Sequence, residues 1–232
     1  DPLWSRGLGD VYKRQMNNYL RPIYLQSIWE TLFMALITLV IGGICGLVLG
    51  ILLYATRRGG LLANKIVHTT LNVIVNIIRP IPFIIFMTAI APLTLKVVGT
   101  TIGVRAATFP LCIAATFAIS RIVEQNLITV DPGVIEAARA MGAAPWRILF
   151  DVVAREALGP LILGYTYILI AIVDMTAIAG ALGGGGLGQF AITYGYQRYN
   201  WAVTAVAVVT IIIVVQVAQF IGNWLAHRAL RR

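Results

Sequence analysis

Asp174 stands alone in the apolar run IAIVDMTAIAG. A carboxylate at bilayer depth is costly and ordinarily faces a pathway or a partner. Three roles are open to it: holding the ammonium of an amino-acid-like solute, pairing with Arg79 or Arg121, or sitting protonated against a neighbouring helix. Met175 and Ile178 follow one and four positions later, with Ile178 on the Asp174 face. They are candidate gate residues, with apolar packing as the plainer role. Arg79 opens the sequence Arg79-Pro80-Ile81-Pro82. Proline removes a helix donor and clashes with the preceding turn, so a kink or a broken helix is expected there. Freed carbonyls and a guanidinium suit the wall of a cavity; a snorkelling interfacial arginine is the alternative. Arg121 and Glu124, three apart, read as an ion pair on one helix face.

Catalytic chemistry finds no footing. His68 and His227 are isolated, no HExxH occurs, and the spans hold no Ser/His pair or paired carboxylates. Cys45 and Cys112 both lie in apolar runs, which argues against a disulfide framework or a metal cage. Gly183 to Gly188 (GGGGLG) matches G-x-G-x-x-G, but it follows an apolar span rather than a strand, so the dinucleotide reading is rejected. A flexible external loop is expected instead. No G-x-x-x-x-G-K-[ST] is present, so the chain is not a nucleotide hydrolase by itself. Tyr194, Tyr196, Tyr199 and Trp201 read as an aromatic belt at a membrane surface.

The elements that must position these residues are membrane spans. Of 232 residues, 59% are hydrophobic and 12% charged, and the mean hydropathy is +0.86. A soluble domain runs at about 45–50% apolar and about 25% charged. These values exclude a soluble enzyme, a disordered chain and a disulfide scaffold, and describe an all-α polytopic membrane protein. The net charge of +9 comes from cations scattered between apolar runs without a basic face, which argues against nucleic acid. Residues 1–15 (DPLWSRGLGDVYKRQ) lack periodicity and an apolar core, and are expected to be a non-native scar, disordered or interfacial, ahead of Met16. Residues 16–232 then form one membrane domain. It opens with an interfacial segment, NNYLRPIYLQSIWE, followed by five expected spans: about 32–53, 71–95 (broken at Arg79–Pro82), 105–128, 157–182 and 201–225. In the first, Gly46 and Gly50 form a small-xxx-small pair that admits a second helix closely. Arg57, Arg58, Lys65, Arg139, Arg147, Arg155, Arg228, Arg231 and Arg232 fall on one side, against Arg21, Lys96 and Arg198 on the other. That bias puts the first set in the cytoplasm, with the N-terminus outside and the C-terminus inside.

A polar, helix-forming loop covers about 129–156. Asp131-Pro132 has N-cap and N1 character, good helix formers follow, and Gly142 supplies a C-terminal stop. A second helical run starts near Pro145. The small residues would let the short helix enter a groove on another protein; an amphipathic linker on the membrane surface is the alternative. Glu136-Ala137-Ala138 with Gly142 four residues on resembles the EAA motif of the permease subunits of ABC importers. IIRPIPFIIF, VIEAARAMGAAPWRI and AGALGGGGLGQFAITYGYQRYN make the chain from Met16 onward similar to the methionine-importer permeases in particular. The family pattern continues with an apolar residue and then Leu-Pro; Val152 keeps the apolar position, whereas Ala154 and Arg155 replace the pair.

The resemblance implies a type I importer permease fold in a bacterial inner membrane. Methionine, D-methionine included, would be the cargo, moved by alternating access. Another amino acid, a dipeptide or a quaternary amine is the nearest alternative, and a proton-coupled transporter using Asp174 a more distant one. Glu136, Ala137, Ala138, Arg139, Met141, Gly142, Ala143 and Pro145 would form the coupling site. The implied partners are a second permease copy, two ATP-binding subunits, a periplasmic or lipoprotein substrate-binding protein, and membrane lipid. ATP and Mg would sit on the ATP-binding subunits, with no cofactor on this chain.

Overall fold

The computed structural model describes residues 19–229 with their side chains, and the helical backbone of residues 3–18 and 230. The expected scar over 1–15 lies outside the residues described in full. In chain order the helices are α1 (Leu3–Thr56), α2 (Lys65–Ile78), α3 (Phe83–Ala89), α4 (Ala91–Val98), α5 (Val104–Ile128), α6 (Pro132–Ala140), α7 (Pro145–Arg147), α8 (Ala154–Glu156), α9 (Leu158–Ala181), α10 (Gly186–Gln189) and α11 (Trp201–Leu230). Ile148–Val153 and Phe190–Gly195 are wound as π-helix, and Tyr196–Arg198 as a 3₁₀ turn. Four helical stretches are long and apolar enough to cross a membrane: Tyr19–Thr56, Val104–Ile128, Leu158–Ala181 and Trp201–Ala229. The pair α2 and α3, bent by 104°, is long and apolar enough only when taken together, and counts as a fifth if the pair is one span.

Two expectations about the spans meet different outcomes. The break at Arg79–Pro82 is present: α2 stops at Ile78, and Pro82 caps α3 with extended backbone. The first span, expected over about 32–53, reaches back to Tyr19 within NNYLRPIYLQSIWE in one continuous helix. Pro22 lies inside α1, which runs on without interruption to Thr56. One missing N–H near the start of so long a helix removes one bond, and the remaining ladder carries the direction.

Between spans in lipid there is little hydrophobic drive, so close packing and hydrogen bonds hold helices together. The tightest seam joins α1 to α5. A Cβ on Gly46 would lie 2.7 Å from the Ile119 Cβ, and one on Gly50 2.6 Å from the Val123 Cβ. At Gly42 the Ala115 Cβ would be 3.0 Å away. Glycine at every fourth position thus clears a flat strip along α1 into which the branched side chains of α5 fit. On the neighbouring face the Tyr165 hydroxyl of α9 donates to the Gly43 carbonyl at 2.8 Å. The larger core runs from Ala35 through Ala115, Ile119 and Val123 to Ile148, Leu149 and Val153 beside the loop. A second core gathers Met34, Phe83, Met87, Ala107, Leu111 and Ala179 around α3.

Filling the glycine strip tests the seam. Gly46→Val should cost about 1–3 kcal/mol or more, because the backbone of α5 must retreat. Gly43→Ala, which meets only the edge of the Tyr165 ring, should cost less. Thermal unfolding of the two variants in detergent measures the difference.

Candidate functional site

The loop between α5 and α9 holds a short helix capped at both ends. Asp131 accepts a hydrogen bond from the Gly133 N–H at 2.7 Å, the N-cap expected of it, with Pro132 at the first helical position. At the other end the Gly142 N–H donates to the Arg139 carbonyl at 2.9 Å, and the Ala143 N–H to the Ala138 carbonyl at 3.1 Å. Gly142 has φ +78°, a left-handed conformation that glycine adopts without a Cβ penalty. Of the motif residues, Ala138 alone is buried, at 4% exposure, and it belongs to the larger core with Tyr54, Leu127, Val130, Ile148 and Leu149. Ala143 is half-buried against the same core. Glu136, Ala137, Arg139, Gly142 and Pro145 are exposed, and Met141 is 80% exposed. The next helical run presents Trp146 and Phe150, also exposed, stacked at 6.2 Å between centroids. An alanine fastens α6 to the body while apolar and charged groups face away from it.

Beyond α7 the chain stays helical through the π-helical turn and α8, and Ala157 keeps αR backbone at the junction with α9. Ala154 and Arg155, where the family pattern has Leu-Pro, remove the proline that would interrupt this path. Arg155 instead pairs with Asp151 at 3.7 Å in an exposed contact, which contributes little.

The residues singled out in the spans do not gather into one site. Asp174 lies on an exposed face of α9. The ion pairs among the described residues are Arg121–Glu124 and Asp151–Arg155, so neither Arg79 nor Arg121 is its salt-bridge partner. Met175 and Ile178 pack against the second core, beside Phe83 and Met87 of the bent segment. Arg79 caps α2 at the bend and is exposed. The ion pair expected of Arg121 and Glu124 is present, with Nη1 donating to Glu124 Oε2 at 2.5 Å. Among the described residues no group of three metal-ligating side chains comes together.

The glycine-rich segment departs from the expectation of a flexible external loop. Gly184, Gly186, Leu187 and Gly188 are buried. The backbone folds back on α9 so closely that a Cβ on Gly180 would lie 2.7 Å from the Gly185 carbonyl oxygen. Glu30 Oε2 accepts from the Gly186 N–H at 2.7 Å, and Thr31 Oγ1 from the Leu187 N–H at 2.8 Å. Gln26 Nε2 steadies the other Glu30 oxygen at 2.8 Å. Absent side chains here serve close packing, not looseness. The aromatic residues divide: Tyr194 stacks on Phe190 and lies under Arg198, while Tyr196, Tyr199 and Trp201 are exposed.

Sequence reasoning passed over Glu30 and Thr31, and also Asn72 and Asn76, whose carbonyls accept from Arg121 Nη2 at 2.7 and 2.5 Å. The asparagines carried a usable signal, two amides at helical spacing in an apolar run. Glu30 carried none, because its partners are 156 residues away.

Residues 46–231 match the family model described as the binding-protein-dependent transport system inner membrane component. A probable D-methionine transport system permease protein of Vibrio cholerae is 41% identical over 210 residues, covering 90% of this chain and 93% of that protein. The methionine import system permease protein of Bacillus subtilis is 44% identical over 176 residues, 76% of this chain and 79% of its own length. Among solved structures, a chain of the inward-facing MetNI methionine ABC transporter superposes with a TM-score of 0.87 at 42% identity, over 89% of this chain and 96% of that one. A chain of an amino acid ABC transporter shares the fold, with a TM-score of 0.77 at 18% identity.

Removing the Glu30 acceptor should strand the buried Gly186 N–H, a loss of about 1–3 kcal/mol. Glu30→Gln, which keeps one acceptor oxygen, should lose less than Glu30→Ala. Unfolding midpoints of the two variants in detergent give the comparison.

Proposed function

The chain belongs to the binding-protein-dependent transport system inner membrane components, and we propose that as such a permease it carries methionine, D-methionine included, through a pathway formed by two copies. The cargo follows from the relatives: permeases named for methionine or D-methionine resemble it at about the same level in Vibrio, Bacillus and Escherichia. Two ATP-binding subunits supply the energy, and a substrate-binding protein delivers the cargo from outside. ATP is bound and hydrolysed on those partners; this chain contributes the helix they grip and the spans that move.

The observation that carries the reading is helix α6, nine residues long, which buries one alanine in its own protein and leaves Glu136, Ala137, Arg139 and Met141 for another. The bias of loop cations puts it on the cytoplasmic side. When the ATP-binding subunits close, the two copies of α6 approach one another. Ala138 ties each to the ends of α1 and α5 and to the π-helical turn that leads into α9. The spans therefore swing as packed units, and the pathway changes the side on which it is open.

Glu136→Lys reverses the charge on the outward face, and Gly142→Asp puts a side chain at φ +78°, a strain of about 1–2 kcal/mol. Each should abolish methionine uptake in proteoliposomes, either by preventing assembly with the ATP-binding subunit or by freeing ATP hydrolysis from transport. Wild-type uptake in either variant would remove the basis for a coupling role. Two controls address the alternatives: competition with other amino acids, dipeptides and quaternary amines tests the cargo. Uptake driven by a proton gradient in the absence of the ATP-binding subunit would indicate a secondary transporter.

A further inference from the structure

Arg121 sits in an apolar helix, and its side chain is 17% exposed. An ion pair with Glu124 on the same helix occupies one guanidinium nitrogen. The guanidinium has five N–H donors, and in hydrocarbon each one left without an acceptor is costly. Nη2 spends its donors on a different element, the Asn72 carbonyl at 2.7 Å and the Asn76 carbonyl at 2.5 Å. The two amides stand one turn apart on α2, joined by an Asn76 to Asn72 bond at 3.3 Å.

Besides this clasp, α2 is held at its start, where the His68 ring meets the Leu53 carbonyl of α1 at 3.1 Å; past that point its grip on the body is thin. Of its 14 residues, only Val75 is buried, and Val73, Ile74 and Ile77 face outward. At its far end come Arg79–Pro82 and the 104° bend into α3, whose Phe83 and Met87 belong to the core against which Met175 and Ile178 pack. At the far end of α5, Thr129, Val130 and Asp131 are all that separate Ile128 from α6. Arg121 therefore stands between α6 and the bent segment.

We propose that Arg121 is a positioning residue for transport: it clasps Asn72 and Asn76 so that α2, and with it the Arg79–Pro82 bend, follows α5 when α6 moves. This rests on the permease reading above. Lysine is a poor substitute, since Arg121 meets Glu124 through Nη1 and the two amides through Nη2, and a single ammonium centre cannot span both places as the fork does.

The test uses the assembled transporter in proteoliposomes and reads methionine taken up per ATP hydrolysed. Asn72→Leu with Asn76→Leu leaves the Arg121–Glu124 pair intact and opens the clasp. Its transport per ATP should fall about fivefold or more while the subunits still co-purify. Arg121→Lys should fall in the same direction. A spin-label distance between α2 and α5, narrow in the wild type with and without ATP, should broaden in both variants. An unchanged ratio overturns the proposal, and so does a parallel fall of uptake and hydrolysis, which marks a merely structural contact. Failure of both variants to assemble has the same meaning. Wild-type protein that moves methionine without ATP would instead overturn the functional reading, and with it a clasp that passes on the movement of α6.

Discussion

The closeness of α1 to α5 sets the geometry of everything else. Gly42, Gly46 and Gly50 remove side chains from one stripe of α1, so the branched residues of α5 reach its backbone. In lipid that proximity is the main source of attraction between apolar helices, because hydrocarbon competes for any looser contact. With α5 pinned along its length, its C-terminal end shares one core with Tyr54 and Ala55, and Ala138 of α6 is buried in that same core. A shift in the seam would move the exposed helix with it. The precision of a surface site is inherited from a strip of glycines inside the bundle.

Polar contacts within the spans take a secondary but directional part. Glu30 and Thr31 of α1 bind backbone N–H groups of the folded-back glycine segment, and the Tyr24 hydroxyl meets Thr210 of α11 at 2.6 Å. Arg121 joins α5 to α2. Each contact connects elements distant in the sequence, and each uses a polar group that is costly to leave without partners in hydrocarbon. Apolar packing fixes distances between the large helices. Hydrogen bonds fix which small element follows which large one.

The sequence made some parts of this readable and hid others for identifiable reasons. The spans of α5, α9 and α11 were legible from long apolar runs with few charges, and the bend from Pro80 and Pro82. Helix α6 was legible because its determinants are local: Asp131 caps its own helix and Gly142 ends it. The reach of α1 back to Tyr19 was not legible, because Arg21, Gln26 and Glu30 interrupt the apolar run that marks a span, while the helix tolerates the one bond lost at Pro22. The glycine run was misread because glycine signals looseness and close approach alike; only the fold shows that α9 and Glu30 lie against it. Asp174 was legible as an oddity, and its burden at bilayer depth is unchanged by the exposed face it occupies.

The bend between α2 and α3 has a consequence for the electrical insulation of the membrane. α2 rises about 21 Å over its length, short of the ~30 Å of a hydrocarbon core. Prolines at 80 and 82 withdraw the donors that the carbonyls of Asn76 and Ile78 would meet in an unbroken helix; Ile78 recovers one from Ile81 at 3.2 Å. Backbone oxygen at such depth calls for water. A membrane that stores energy as an ion gradient cannot host a continuous file of water molecules. Bulky Phe83 and Met87, with Met175 packed against the same core beside the bend, fit the need for apolar closure there.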